Sequence, residues 1–537
     1  MEVAPPLEIP LAISGTFGEI RSNHFHAGID IKTQGRQGLN VRSVAKGWIN
    51  RIRISHGGYG KALYIEHADG YISVYAHLKK FSPEIEAYVK AKQYEKKSYE
   101  IQLFPKFDAL KVEKGMLIGY TGNTGGSQGP HLHFELRDRK NQNPLNPLSF
   151  DLPVKDTQAP QIQKLFLYRQ NPDGTASIQK QIVLNKKNDS LFTGSLVETS
   201  GKISLGLQMF DRQDLSYNKN GIYQARIKMN GVTQIEYDFD RISFDDSNFI
   251  NLFIDYKSLR TRGLKIQRLV RHKESKKSIF NNKYADGFMQ IEEGRSYQIM
   301  VEISDFNGNT SFIEFYIVGK KTNLDTVSTS GKEIKKDLDY LFEFDKKSVY
   351  FPKGTFSEKV RIEIKDKNDT ITVGKDLFPV NKPFKVSFKK TFKEQKILRQ
   401  SFVAMINYKN RPNYLQTEKK DGRLIAKSKK LGDFIISRDS IAPEVSPKNF
   451  KKGQWLSNFR YLEVKIKDDF SGIKKYRGSI NGQWVLFEYE YKNQTLTYDF
   501  KDIVFDKALH ELRLEVEDNV GNTTEFKTSF YRKNRVK

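Results

Sequence analysis

Short alternating apolar runs, each closed by glycine, asparagine or aspartate, fix the fold class of this chain. Ala62 to His67 and Tyr71 to Leu78 read as strands, because period-two alternation turns every second side chain to one face of a sheet. Gly57-Gly58-Tyr59-Gly60 and Ala68-Asp69-Gly70 read as the turns beside them. The same texture recurs far downstream, in Val360 to Ile364 and Phe402 to Ile406. No apolar run approaches the roughly 20 residues that a membrane-spanning helix needs. The chain is therefore mainly β, and at about 150 residues per domain its 537 residues make three to four domains.

Up to Phe150 the expected strands are Val41 to Ile54, Ala62 to His67, Tyr71 to Leu78 and His131 to Leu136, with a hairpin over Ala109 to Gly122 turning at Lys114-Gly115. Ser82-Pro83 interrupts them with a helix start, serine as N-cap and proline at the first helical position. Ile85, Tyr88 and Val89 then give one apolar face, which predicts a helix from Pro83 to about Lys96.

Asn143-Pro144-Leu145-Asn146-Pro147 and Leu152-Pro153 close the first domain, 1–153. Two later segments share a layout. One opens with Asp156-Thr157-Gln158-Ala159-Pro160 and the other with Asp439-Ser440-Ile441-Ala442-Pro443. Each then carries Gly-Ile, Asn-Gly and a closing D-x-x-G-N-T, at Asp305 to Thr310 and Asp518 to Thr523. The first copy reads as the second with two long insertions. These segments predict Ig-like β-sandwiches over 154–320 and 439–537, with a further β-rich module over 321–438. The D-x-x-G-N-T segments read as turns closing a sandwich, because they lack the spaced carboxylates of a calcium loop.

Seven of the nine histidines fall before residue 134: His24, His26, His56, His67, His77, His131 and His133. Histidine is the commonest metal ligand and the commonest acid or base at neutral pH, so chemistry is expected in this first quarter. With no cysteine in the chain, a thiol nucleophile, a cysteine zinc finger and a disulfide are excluded. His26-Ala-Gly-Ile-Asp30 sets an imidazole and a carboxylate four residues apart. In His131-Leu-His133 the two imidazoles point to one face of a strand. Two histidines and one aspartate suffice for Zn²⁺ with a fourth position left open for water, although spacing alone leaves open which of His131 and His133 holds the metal. A metal held this way lowers the pKa of a water and polarises a carbonyl.

H-x-G-x-D (His26 to Asp30), Y-A-H-L (Tyr75 to Leu78) and G-P-H-L-H-F-E (Gly129 to Glu135) occur in that order, with K-G-M-L-I-G-Y-T-G-N-T-G (Lys114 to Gly125) between the last two. Together they resemble the lysostaphin-type, or LytM-like, zinc metallopeptidases that cut peptides in bacterial cell walls. The resemblance covers about residues 15 to 150. It implies an antiparallel β metallopeptidase domain; the residue patterns above add a short helical insertion to it and three β-sandwich-like modules after it. It implies His26, Asp30 and His133 as Zn²⁺ ligands, and His77 and His131 as the pair that orients and deprotonates water. All five positions hold the expected residue types, unlike family members that lack ligands and act as regulators. The implied function is a zinc endopeptidase acting on peptidoglycan peptide cross-links. D-alanyl bonds are favoured over glycine bridges, because no polyglycine-recognition module is recognisable. The alternative is a non-hydrolytic wall-binding factor that activates another wall hydrolase.

Around this centre, the Asn123 to Ser127 loop is expected to form a wall of the substrate groove, with Tyr59 and Tyr75 as further lining. The Phe81 to Phe107 stretch departs from the compact family pattern and is placed to edge or cover that groove. His24 has a local structural role, or else acts as a group behind the ligands or an alternative ligand. His56 and His67 read as surface or satisfied histidines, and His272 and His510 as structural. Gly125-Gly-Ser127-Gln-Gly129 matches the G-x-S-x-G elbow formally, but Pro130 and a strand follow where the elbow needs a helix.

The net charge of +26 favours an anionic partner. The absence of a nucleic-acid motif and the spread of the lysines argue against nucleic acid and for an anionic envelope polymer. The C-terminal modules are expected to be spacers, wall contacts or protein-binding surfaces. The N-terminus shows no charged-then-apolar signal pattern. A periplasmic or cell-surface location therefore follows only from the implied substrate, with the signal sequence taken as removed.

Overall fold

The computed structural model describes residues 1–533, apart from 23, 108, 172–175, 273–278, 282, 323–329 and 505–506, and gives backbone alone for 247–249. The chain is mostly β, as its alternation requires, and its residues fall into two compact units. The first gathers 1–53, 59–85 and 102–329; the second gathers 54–58, 86–101 and 330–537. Among the described residues no helix is long and apolar enough to cross a membrane.

In the first unit the central strand of the N-terminal sheet is His131–Asp138. It lies antiparallel between Ile29–Lys32 and Tyr71–Ala76, in the sheet order Ile13–Gly15, Ile29–Lys32, His131–Asp138, Tyr71–Ala76, Lys61–His67. Leu132, Phe134 and Leu136 point to one face and are fully buried, with Ile29, Ile31 and Tyr75 beside them. The alternate residues His131, His133, Glu135 and Arg137 are thereby turned to the other face. Burying one apolar face against a core fixes the register, since a slip by one residue would exchange the faces.

Two sequence expectations meet corrections here. Ala109 to Gly122 is not a hairpin. Lys111–Val112 pairs with Gly47 and Trp48, whereas Leu117–Tyr120 pairs with Asn40–Arg42 and Lys80–Phe81 in another sheet. Gly115 turns the chain as expected, at φ 79°, but each arm finds a better partner elsewhere. Similarly, Val41 to Ile54 divides into Asn40–Arg42 and Gly47–Ile54.

Downstream in the same unit, a sheet ordered Ala176–Ile182, Gln161–Gln170, Gly201–Gln213, Ser216–Asn220 accompanies a second. That one is built around Thr310–Gly319, Ser296–Ser304 and Gln224–Met229.

In the second unit, two five-stranded sheets share one core. Val349, Phe351, Val386 and Leu424 come from one sheet, and Ile371, Val373, Val403 and Phe434 from the other. Two four-stranded sheets follow, closed over Leu462, Val464, Leu496, Leu512, Leu514 and Val516. The helix Pro83–Lys96 has the predicted bounds, and its part from Glu86 onward belongs to this unit. There Lys90 pairs with Asp502, and Tyr94 meets Trp484 edge to face with ring centroids 5.3 Å apart. The expected side-chain cap is not made: Ser82 Oγ is buried without a hydrogen-bond partner.

The two D-x-x-G-N-T segments do the same structural work in both units. Asn309 Nδ2 donates to the Asp156 carbonyl and to Asp305, while Asn522 Nδ2 donates to the Asp439 carbonyl and to Asp518. Ser311 Oγ donates to the Pro160 carbonyl, and Thr524 Oγ1 to that of Pro443. The D-x-x-A-P entry and the closing turn are thus stitched together in each copy, which is why both motifs recur together. Asn522 also accepts from Gln400 Nε2 at 2.7 Å. Asn522→Ala leaves these buried partners unsatisfied and should cost about 2–4 kcal/mol. It is measured as a lowered urea midpoint for the second unit; a loss below about 0.5 kcal/mol would contradict this stitching.

Candidate metal centre

The register of the central strand assembles the site. His133 stands directly opposite Asp30 on one side and Ala76 on the other, so His77 follows at once. Gly28 of the H-x-G-x-D motif has a packing reason: a Cβ there would lie 2.2 Å from the Phe134 carbonyl oxygen. Gly122 has another, since its Cβ would meet Lys79 N at 2.3 Å and His77 O at 2.5 Å. His77 itself sits in the left-handed region at φ 63°. That conformation is uncommon for a residue with a side chain, and strained residues of this kind cluster at functional sites. It is held by hydrogen bonds from His77 N to Tyr59 O (3.0 Å) and from its ring to Thr124 O.

Three buried atoms converge. His26 Nε2 lies 3.0 Å from Asp30 Oδ1 and 3.1 Å from His133 Nδ1, and His133 Nδ1 lies 2.9 Å from Asp30 Oδ1. Tetrahedral zinc with bonds near 2.0–2.1 Å spaces its ligand atoms by about 3.3 Å, so an outward movement of a few tenths of an ångström admits the ion. The set of two imidazoles and one carboxylate suits zinc chemically as well. His131 and His77 stand beside it. His131 Nε2 is 3.4 Å from Asp30 Oδ1, and the His77 and His131 ring centroids are 4.8 Å apart.

Each imidazole is oriented by its other nitrogen. His26 Nδ1 faces the Thr16 carbonyl at 2.8 Å, His77 Nδ1 that of Thr124 at 2.9 Å and His131 Nδ1 that of Gly129 at 2.9 Å. A carbonyl only accepts, so the proton sits on Nδ1 and the Nε2 lone pair faces the centre. His133 is reversed: its Nε2 donates to Glu135 Oε1 at 2.8 Å and leaves Nδ1 inward. This arrangement, in which an outer acceptor fixes ring and tautomer, is the one metal-binding histidines use.

The electrostatics are set by burial and close charges. Burial alone would raise the Asp30 pKa, but His26, His131 and His133 hold it well below the usual carboxylate range. Burial alone would lower that of His133, yet Asp30 and Glu135 at its two nitrogens raise it above the ordinary imidazole value. His77 is pushed down to about 3, first by burial and then by the neighbouring His133 and His131, and is neutral at pH 7.

Four surrounding residues escaped the sequence reading. Arg21 Nη2 donates to Asp30 Oδ2 at 3.0 Å. Glu135 is held by Arg137 Nε at 2.6 Å and by the Tyr59 hydroxyl. Thr16 supplies the carbonyl for His26. Glu135 and Arg137 were findable, since they continue the i, i+2 face of His131 and His133; Arg21 and Thr16 reach the site through loops. Tyr59 stacks on His133 with centroids 5.2 Å apart. Tyr75 is a correction: it is fully buried, and its hydroxyl accepts from Val44 N at 2.9 Å, so it belongs to the core. Exposed His24 lies outside the cluster. His67 is buried and satisfied by Lys46 O and Ser73 Oγ. Ser127 Oγ is engaged with the Gly129 carbonyl at 2.7 Å, in a turn and not on an elbow.

The model of peptidase family M23 matches residues 24–94 and 108–147, and that of the Zu5-like domain matches residues 333–439. The DD-carboxypeptidase/endopeptidase Mpg of Neisseria meningitidis is 38% identical over 135 residues, 25% of this chain and 25% of its own length. The cell division protein DipM of Caulobacter vibrioides is 30% identical over 125 residues, 23% of this chain and 16% of its own. Among solved structures, the catalytic domain of lysostaphin from Staphylococcus simulans is 23% identical, with a TM-score of 0.19, and the match covers 26% of this chain and 86% of that one. The chain thus spans about a quarter of the length of the Neisseria relative. Motifs, register and family match agree: the N-terminal quarter of the chain is a domain of peptidase family M23.

Proposed function

We propose that the chain is a zinc-dependent endopeptidase hydrolysing peptide cross-links of bacterial peptidoglycan, at D-alanyl bonds. The convergence of His26 Nε2, Asp30 Oδ1 and His133 Nδ1 beside His77 and His131 carries this reading. The relatives named as DD-endopeptidase and cell division protein support the substrate class.

His26, Asp30 and His133 would hold Zn²⁺, which when bound supplies Lewis-acid polarisation of the scissile carbonyl and acidifies water. The chain's own groups handle the proton. His77 is kept neutral by burial, so its inward nitrogen accepts a proton from the attacking water. His131, with Nδ1 fixed by Gly129 O, turns its Nε2 lone pair inward to accept from and orient the attacking water, and the proton that His77 takes passes on to the leaving amine. Arg21 and Glu135 hold Asp30 and His133 in place. The wall lies outside the cytoplasm, so this function requires export to the periplasm or cell surface. The excess positive charge fits retention on anionic envelope polymers.

His131→Ala should lower the release of new peptide ends from purified peptidoglycan by at least about 10²-fold while zinc content stays at the parent level. An unchanged rate sinks the role given to His131. If the zinc-loaded parent releases no new ends from any peptidoglycan type, the enzyme reading fails. Because the metal-free centre keeps His133 protonated, zinc must displace that proton. Zinc affinity should therefore fall about tenfold for each pH unit below neutrality, with one proton released per ion by calorimetry in buffers of different ionisation enthalpy. A pH-independent affinity would contradict it. Sedimentation of the protein with purified wall should weaken steeply between low and physiological salt; salt-independent binding would count against charge-driven retention.

A further inference from the structure

The first unit carries a second cluster, away from the histidines. Asp156, Asp211 and Asp305 each offer a carboxylate oxygen, and these atoms lie within 4.8 Å of one another. All three side chains are buried, at 8%, 2% and 4% exposure. They come from three places: the D-x-x-A-P entry, the end of strand Gly201–Gln213 and the D-x-x-G-N-T turn. Read along the chain, none of these segments has calcium-loop spacing; the fold brings them together.

Asp156 and Asp305 serve their own turns, accepting from Gln158 N and from Asn309. Asp211 does not: its Oδ1 is buried without a partner. A second group points the same way. Gln213, 4% exposed, lines the cavity that Asp156, Asp211 and Asp305 also line, and its Oε1 has no hydrogen-bond partner. The cavity is about 20 Å³, space for the centre of one water-sized sphere. Among the described residues no lysine or arginine pairs with any of the three carboxylates. Three like charges buried together without a cation are costly. In the metal-free protein, burial first and then the neighbouring carboxylates push Asp211 up to about 8, and burial pushes Asp156 up to about 7.

We propose that Asp156, Asp211, Asp305 and the Gln213 amide oxygen form a second metal site, for a hard divalent cation of the calcium class, which fastens the first sandwich to the N-terminal domain. The donor set is all oxygen, with neither histidine nor cysteine, which suits calcium and not zinc. The fastening follows from the other cavity wall. Thr16 lines it, exchanges hydrogen bonds with Gly221 through its hydroxyl, and gives its carbonyl to His26. An ion here steadies the segment that orients a histidine of the hydrolytic centre.

The repeat supplies an internal control. Asp439, Asp468 and Asp518 form the matching cluster in the second unit. There each aspartate already accepts backbone N–H groups: Asp439 from Ile441 and Ser471, Asp468 from Phe470 and Gly472, Asp518 from Val520 and Asn522. This copy has no orphaned carboxylate oxygen comparable to that of Asp211.

The test uses the zinc-loaded full chain, titrated with CaCl₂ by calorimetry and melted with and without calcium. One equivalent of calcium should bind, more tightly than magnesium, and raise Tm by about 5 °C at a hundredfold excess over Kd. Asp211→Asn should lose both the binding and the rise, yet melt no lower than the parent without calcium, because the amide is isosteric with the carboxyl and brings no buried charge. Asp468→Asn should keep the equivalent, and Gln213→Met should weaken it about tenfold. The proposal is overturned by no calcium uptake in the parent, or by uptake that Asp468→Asn abolishes and Asp211→Asn leaves intact. Should Asp211→Asn not fold, Gln213→Met decides, and an unchanged affinity overturns the proposal.

Discussion

The antiparallel pairing of His131–Asp138 with its two neighbours is the interaction on which the rest depends. That strand buries Leu132, Phe134 and Leu136 on one face and His133, Glu135 and Arg137 on the other, so sliding it by a residue would drive polar and charged groups into the apolar core and leucines into the polar site. The register therefore cannot drift without loss of the core, and the same register sets His133 opposite Asp30. The energy that organises the centre is mostly the packing energy of Leu132, Phe134 and Leu136 on the opposite face. This division of labour explains why a site containing buried charge persists: it is imposed on a sheet whose stability comes from elsewhere.

The local features were legible in the residues themselves. Period-two alternation located the strands, Ser-Pro located the helix start, and the i, i+2 histidines announced a shared face. What escaped was non-local. The apparent hairpin at Ala109 to Gly122 has a good turn but arms that belong to different sheets, and turn chemistry says nothing about which distant strand wins the pairing. Tyr75 sits two residues before His77 and looked like a groove residue; alternation on a strand buried on both faces gives no sign of which side meets substrate. Arg21 and Thr16 lie close in sequence to His26, yet only the folded loop turns a guanidinium onto Asp30 and a carbonyl onto the imidazole.

The insertion after Leu78 shows a related limit. Its sequence predicted the helix and left its neighbours open, with an edge or a cover of the substrate groove as the expectation. From Glu86 the helix belongs to the second unit, where Lys90 pairs with Asp502 and Tyr94 meets Trp484. His56 goes with it, its ring stacked on Tyr99 at 5.2 Å and meeting Tyr489 edge to face at 5.4 Å. A histidine read as surface or satisfied thus has an aromatic surrounding, and the helix has a partner that no local pattern encodes.

Both carboxylate clusters illustrate how one motif can carry two physical roles. Asparagine of D-x-x-G-N-T closes the turn and ties it to the entry segment, and this alone accounts for the recurrence of the sequence. It does not account for Asp211, which takes no part in that stitching and places an unpartnered oxygen next to two other carboxylates. A turn needs its aspartate hydrogen-bonded, whereas a cation needs it free. The two copies differ on this point, since Asp468 is engaged by two backbone N–H groups where Asp211 Oδ1 has none. The difference falls in the copy that shares its unit with the M23 domain, which is where a bound ion would stiffen the segment from Thr16 to His26.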